Sequence, residues 1–342
     1  MRAWQITRHG EPEEVLELRE LPSPAPGPGQ VRIRVAAAAL NFADELLCRG
    51  RYQLKPEIPF TPGMEVCGVV DACGAGATLA PGRRVMAHTA LPHGGLAEHA
   101  LAHERDVYVI PPSLPDVHAA GFLIPYQTAH LALHRRGGIR AGDSLLVHAG
   151  AGGVGSAAIQ LGRAAGARVF ATAGGAEKVA LCEKLGAELA IDYRSEDFVA
   201  AVNAATDGRG VDLVYDPVGG DIFDRSRKCI AWEGRILVVG FAGGRIADLP
   251  TNHAFIKNYS VVGVYIGEYN LRDRDYLLDA TRELVDLHAS GQLEPLIGAR
   301  LTLEEVPRAI RDLSSRRSVG KLVIDIDEAR VGSTASSART QP

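Results

Sequence analysis

Residues 31–35, Val-Arg-Ile-Arg-Val, alternate apolar and polar side chains as a half-buried strand does, after a proline-rich lead-in over residues 22–28. Residues 66–70, 84–87, 96–102 and 107–110 repeat this short-strand pattern, separated by glycine and proline. They predict a small, partly open β-barrel. From about Pro125 the period changes. A helix is predicted over residues 128–136, then an apolar run at Leu145-Leu146-Val147 and a helix carrying Ala158, Ile159, Leu161 and Ala165. Strands follow at 168–172, 190–193, 211–216, 235–240 and 260–265. Strands alternating with helices predict an α/β fold with a parallel, doubly wound sheet. A long helix at 273–290, a strand at 299–301, a helix at 303–314 and a strand at 321–326 do not extend that alternation, and are expected to rejoin the barrel. The expected organisation is one domain over residues 1–124 with 268–327, a nucleotide-binding domain inserted at 125–267, and a small, polar, disordered tail at 328–342.

The stretch from Ser144 to Lys178 places a glycine-rich turn between the first strand and helix of this alternation. Gly150, Gly152 and Gly155 form G-x-G-x-x-G, with Gly153 and Val154 between the last two. The first glycine is assigned to a tight turn, the second to close approach of backbone N–H groups to phosphate, and the third to helix–strand packing. A pyrophosphate held this way lies at a helix N-terminus, where free N–H groups and the macrodipole favour negative charge. An NAD-selective strand would end in Asp or Glu, about 20 residues past the glycines, to accept the ribose 2′-hydroxyl. Here the end reads Thr172-Ala173-Gly174-Gly175, with Lys178 close behind. That favours NADPH, with Lys178 pairing with the 2′-phosphate. An exposed helix lysine is the plainer reading, and Glu177 is the counter-argument.

The 342-residue chain is 46% hydrophobic and 23% charged with a net charge of −4, which gives no reason to expect nucleic acid or an anionic membrane. No apolar run is long enough to span a bilayer, and Met1 to Gln5 do not begin a signal peptide, so a cytoplasmic protein is expected. The five cysteines, at 48, 67, 73, 182 and 229, form no C-x-x-C pair and read as reduced thiols.

Further segments are Leu40-Asn41-Phe42-Ala43-Asp44, residues 62–70 (PGMEVCGVV), Gly94-Gly95-Leu96-Ala97-Glu98, the turn from Ala149 to Gly155, Asp216-Pro217-Val218-Gly219-Gly220 and Gly320-Lys321-Leu322-Val323. Together they resemble the zinc-free quinone oxidoreductase (ζ-crystallin) branch of the medium-chain dehydrogenase/reductase superfamily. The resemblance covers nearly the whole chain to about Asp327 and implies a GroES-like barrel joined to a Rossmann domain. Zinc-dependent cousins hold their metal with a Cys on the first segment and a Gly-His-Glu on the second. Here those positions read Asn41 and Gly63-Met64-Glu65, and residues 87–114 lack the cysteines of a structural zinc loop. No zinc is expected. His99 and His103 have zincin-like spacing, but a strand separates such residues by about 13 Å.

Without a Lewis acid, hydride transfer to an already conjugated electrophile remains feasible, which points to a quinone or an α,β-unsaturated carbonyl. The resemblance puts Asn41 and Tyr52 beside the nicotinamide as catalytic residues, the amide bonding the substrate carbonyl or the ribose, and the phenol donating to the developing oxyanion. Tyr52 is also readable as a packing aromatic, and Asp44 as a group that orients a neighbouring side chain or as a helix cap. A further tyrosine found in some relatives is replaced by Leu46. The resemblance assigns cofactor contacts to Asn41, Thr128, Gly150, Gly152, Gly153, Val154, Gly155, Ala173, Gly174, Lys178, Tyr193, Val218, Gly240, Phe241, Ala242 and Lys321, although the Thr128 hydroxyl also suits an N-cap. It implies a homodimer, and the apolar strand at residues 260–264 suits edge-to-edge pairing. An enoyl-thioester reductase and a redox-silent NADPH-binding protein are the alternatives.

Overall fold

The computed structural model describes residues 1–326, so the predicted tail at 328–342 lies outside the described residues. The chain divides into two units, Met1–Leu123 with the segment from Ile297 onward, and Ile124–Leu296.

The first unit begins with β1 (Arg2–Ile6) and β2 (Leu16–Glu20), then β3 (Gln30–Ala39), helix α1 (Phe42–Cys48), β4 (Glu65–Cys73), β5 (Arg84–His88), β6 (His99–His103) and β7 (Val107–Val109). β1 and β2 pair antiparallel. The hydropathy pattern missed this pair, yet Ala3, Trp4 and Ile6 are buried and the Trp4 indole donates to the Leu303 carbonyl at 2.6 Å. The strand expected from Leu96 starts only at His99, because Leu96 and Ala97 bond to β1 instead, through Trp4 N–H to Leu96 O and an Ala3–Ala97 bridge.

β3 organises this unit. One edge pairs along β4; the other pairs first with β6, through Gln30–Arg34, and then with the C-terminal β15 (Lys321–Asp325), through Ala37–Ala39. This explains the change of pattern within β3. Arg32 and Arg34 alternate with buried Val31, Ile33 and Val35, whereas Ala37 to Ala39 are all buried. β14 (Ile297–Thr302) pairs parallel to β15, and α7 (Val306–Ser314) lies between them in sequence. Val306, Ala309 and Ile310 of α7 join Ile6, Ile33, Phe60 and Leu96 in the core.

The second unit runs β8 (Ser144–Val147), α2 (Gly153–Ala164), β9 (Arg168–Ala173), α3 (Ala176–Leu185), β10 (Leu189–Asp192), β11 (Val211–Asp216), α4 (Gly220–Ser226), β12 (Ile230–Val238), α5 (Thr251–Lys257), β13 (Ser260–Gly263) and α6 (Arg274–Ala289). Its six strands are parallel, in the order β10-β9-β8-β11-β12-β13. Counted from β8 this is the 3-2-1-4-5-6 order of a dinucleotide-binding sheet, whose switch point lies between β8 and β11.

Two expectations need correction. The segment predicted as a helix from Thr128 starts earlier and is wider than an α-helix: π-helical turns at Leu123–Gln127 and Leu131–Arg136 flank an α turn at Thr128–His130. Such widened turns cluster at functional sites. The second unit also runs to Leu296 rather than 267. Long-range hydrogen bonds hold α6 and its exit there: Gln127 donates to Thr281, His130 meets Tyr276 at 2.9 Å, and Gln160 donates to the Glu294 carbonyl.

Candidate functional site

In the first unit, α1 begins where β3 ends, so Asn41 is its N-cap. Asp44, one turn on, accepts from the Asn41 N–H at 2.8 Å and from the Gly63 N–H at 3.0 Å. It therefore caps the helix, one of the two roles left open above, and also ties it to the Pro62–Glu65 segment through backbone. Asp44 is fully buried, and burial pushes its carboxyl up to about 6.

The cluster around Asn41 closes on Lys321. The buried ammonium donates to Leu40 O at 2.8 Å, Asn41 Oδ1 at 2.7 Å and Glu65 Oε1 at 2.7 Å, which occupies its three N–H groups. The Asn41 amide donates to Glu65 Oε1 at 2.9 Å and Ala39 O at 3.3 Å. Both amide hydrogens are thus engaged, and Oδ1 faces the Lys321 ammonium and, in the capping box, the Asp44 N–H. Asn41 is therefore held in place from every side and has no hydrogen left to donate to a carbonyl. Met64, at the position of the relatives' histidine, packs against the apolar core, as does Tyr52. His99 and His103 sit at opposite ends of β6, and the His99 ring pairs with Asp71 at 3.1 Å.

In the second unit, β8 delivers the chain to the glycine turn at the sheet's switch point. A Cβ on Gly155 would lie 2.2 Å from Ala149 O, so helix α2 packs directly on turn backbone. A Cβ on Gly152 would meet only Ala149 O, at 3.2 Å, so that face of the turn is open. Gly150 differs from its predicted role. The left-handed residue of the turn is Ala149, at φ 52°, while Gly150 is small because a Cβ would strike Cys182, Ile159 and Ala171 within 3.1 Å. Gly153 and Val154 open α2, whose N-cap Gly152 supplies no side-chain cap.

His148, just before the turn, is a residue the motif reading missed. Its buried ring lies 2.9 Å from Thr172 Oγ1 through Nδ1 and 2.8 Å from Ser226 Oγ through Nε2. Ser226 directs its own proton to Ile222 O, so His148 Nε2 carries the hydrogen and Nδ1 accepts from Thr172. Burial lowers this imidazole to about 3, which keeps it neutral. One ring thereby joins the ends of β8 and β9 to α4.

β9 ends in buried Ala173 and passes through Gly174 and Gly175 into α3, which carries Lys178. Tyr193 comes to this point: a Cβ on Gly174 would lie 2.5 Å from its hydroxyl oxygen. Val218 follows the buried Asp216, which accepts from the Val218 and Gly219 N–H groups. Burial raises the Asp216 carboxyl. Gly240, Phe241 and Ala242 fold against this loop, with Ala242 N–H bonded to Pro217 O and Gly243 N–H to Val218 O. Thr128 is buried in the α turn between the π-helical segments. The second unit thus brings the glycine turn, the β9 end and the Val218 and Phe241 loops to the carboxyl ends of neighbouring strands, where such sheets bind ligands.

A family profile described as Alcohol dehydrogenase GroES-like domain matches residues 27–112, and one described as Zinc-binding dehydrogenase matches residues 153–282. The quinone oxidoreductase-like protein 2 homolog of Nematostella vectensis is 38% identical over 289 residues, which span 84% of this chain and 79% of that protein. The chain belongs to the quinone oxidoreductase family of the medium-chain dehydrogenase/reductases. A mycobacterial protein complexed with NADPH is 32% identical, with a TM-score of 0.89, covering 95% of this chain and 99% of its own. The Escherichia coli quinone oxidoreductase complexed with NADPH is 29% identical, with a TM-score of 0.89, covering 95% of this chain and 100% of its own. This family membership makes the chain an oxidoreductase with a GroES-like unit and a Rossmann unit. Among the described residues no helix is long and apolar enough to cross a membrane.

Proposed function

We propose that this chain is a metal-independent reductase that uses NADPH to reduce quinones and α,β-unsaturated carbonyls. The second unit fits the dinucleotide: the turn is open at Gly152, α2 has an uncapped N-terminus at the sheet's switch point, and the β9 end lacks a carboxylate. When bound, the reduced nicotinamide supplies a hydride.

The observation that carries metal independence, and with it the substrate class, is the Lys321 ammonium. It is seated on Asn41, which stands where zinc-dependent cousins have a cysteine ligand, and on Glu65, the neighbour of Met64 at the position of their histidine. A dication there would meet a buried positive charge, an amide oxygen already facing that charge and the Asp44 N–H, and a carboxylate already paired. An unactivated alcohol would lose the metal that lowers its pKa, whereas a quinone or enone is already polarised towards hydride. Asn41, pinned by Lys321 and Glu65, is the residue proposed to lie beside the nicotinamide. Tyr52 donates to the oxygen on which charge develops.

Loss of reduced-nicotinamide absorbance on a panel of quinones, enones, enoyl thioesters and simple aldehydes tests this reading. Turnover of quinones and enones that a zinc chelator leaves unchanged is expected. Chelator-sensitive turnover confined to alcohols or aldehydes would overturn it, faster turnover of thioesters would move the substrate class, and NADPH binding without turnover would leave a redox-silent protein. Tyr52→Phe should slow enone reduction about 10²-fold and quinone reduction less, as removal of one preorganised donor does. Unchanged enone rates would make Tyr52 a packing residue only. The protein is further proposed to form homodimers through β13, the edge strand of its sheet.

A further inference from the structure

We infer that Arg194, which the sequence motifs do not single out, works with Lys178 to select a phosphorylated over an unphosphorylated adenosine ribose. The inference rests on the NADPH reading above and adds a specificity residue to it. β10 carries Asp192 at its end, and the chain then passes over Gly174 and Gly175. A Cβ on Gly174 would lie 3.1 Å from Arg194 Nε as well as 2.5 Å from the Tyr193 hydroxyl, and one on Gly175 would lie 3.2 Å from Arg194 Nη1. The guanidinium therefore leans over the two glycines where β9 ends, the place at which an NAD-selective fold presents a carboxylate.

Asp192 fixes this arrangement. Its Oδ1 accepts from the Gly175 N–H at 2.9 Å and from the Arg194 N–H at 3.0 Å, and these bonds hold its carboxyl below the usual range. The carboxylate is turned to backbone donors and attracts the Arg194 guanidinium only at longer range. Among the described residues no carboxylate lies within ion-pair distance of that guanidinium. Other arginines of this unit are paired, Arg168 with Glu188, Arg209 with Asp212 and Arg225 with Asp197. Lys178 stands close enough for burial, and then the Arg194 charge, to lower its pKa. Arg194 and Lys178 both place positive charge beside the end of β9, which carries no carboxylate of its own, and an anion lying there is attracted by both. A phosphate monoester has the charge, and the oxygens for a bidentate guanidinium contact.

Dissociation constants of NADPH and NADH, measured by protein fluorescence without substrate, test the proposal. Arg194→Gln should weaken NADPH binding at least about tenfold while moving NADH less than about twofold, with Arg194→Lys intermediate. Adenosine 2′-phosphate should compete with NADPH on the wild type and poorly on the variant, whereas adenosine 5′-phosphate and inorganic phosphate should compete weakly on both. Equal losses for NADPH and NADH, or none, would overturn the assignment of Arg194. A wild type that binds NADH as tightly as NADPH would instead overturn the cofactor reading itself.

Discussion

Lys321 and Glu65 form an ion pair with side chains 6% and 1% exposed, so neither can be removed without leaving the other charged in a dry site. Loss of one partner of such a pair typically costs about 3–5 kcal/mol, while an uncharged replacement of both is far milder. Lys321→Met should therefore destabilise the protein by about that amount in urea unfolding, and Glu65→Gln added to it should recover much of the loss. If Lys321→Met alone unfolds like wild type, the pair is not buried in solution. His148 and Asp44 make opposite predictions in acid. His148 titrates near 3 folded against 6.5 ordinarily, so its contribution is present above about pH 6.5 and is lost as the pH falls towards 3. Asp44 titrates near 6 folded against 3.8 ordinarily, so the stability linked to its protonation is present below 3.8 and is lost as the pH rises through 6. Each slope is bounded by about 1.4 kcal/mol per pH unit. From about pH 7 to 4.5, wild type should lose Tm relative to His148→Asn and gain it relative to Asp44→Asn. Parallel curves for all three proteins would show that neither group is buried as described.

At the scale of elements, the strand–turn–helix of β8 and α2 separates two effects that the glycine motif runs together. Gly155→Ala forces a Cβ onto the Ala149 carbonyl, a backbone atom that cannot yield cheaply, so the turn itself should be lost. Gly152→Ala meets one contact at 3.2 Å, so the fold should survive while the methyl group narrows the approach to the phosphates. Thermal melts and NADPH titration should show Gly155→Ala with a lowered Tm, and Gly152→Ala with a near-native Tm and weakened NADPH. The same behaviour in both variants would mean that packing alone explains the motif. The parallel strands were legible because each is a short apolar run closed by glycine, proline or a polar turn. The β1–β2 pair was not, because the burial of Ala3 and Trp4 depends on contacts with Leu96 and Leu303. The π-helical turns around Thr128 were equally hidden, since a 3.6-residue period does not record one extra residue in a turn.

For the whole molecule, β13 leaves one edge of the six-stranded sheet unpaired among the described residues, and α5, just before it, exposes Phe255 (81%) and Ile256 (67%). A second copy of the chain is the proposed cover. Light scattering at micromolar concentration should give a dimer mass for wild type and a monomer mass for Phe255→Glu combined with Val262→Pro; a wild-type monomer would refute the proposal. The sequence by itself determined the order of the six parallel strands, a split into two units, the glycine turn and the missing strand-end carboxylate. These are local properties, carried by periodicity and by residues a few positions apart. Tertiary structure alone decided that α6 belongs to the second unit, because bonds from Thr281, Tyr276 and Glu294 place it there. It also decided that Lys321 meets Asn41 and Glu65, across 280 and 256 residues of chain, and that Arg194 reaches the end of β9. A charged side chain carries no mark of its partner in the sequence, and only the folded backbone brings the partner within hydrogen-bond distance.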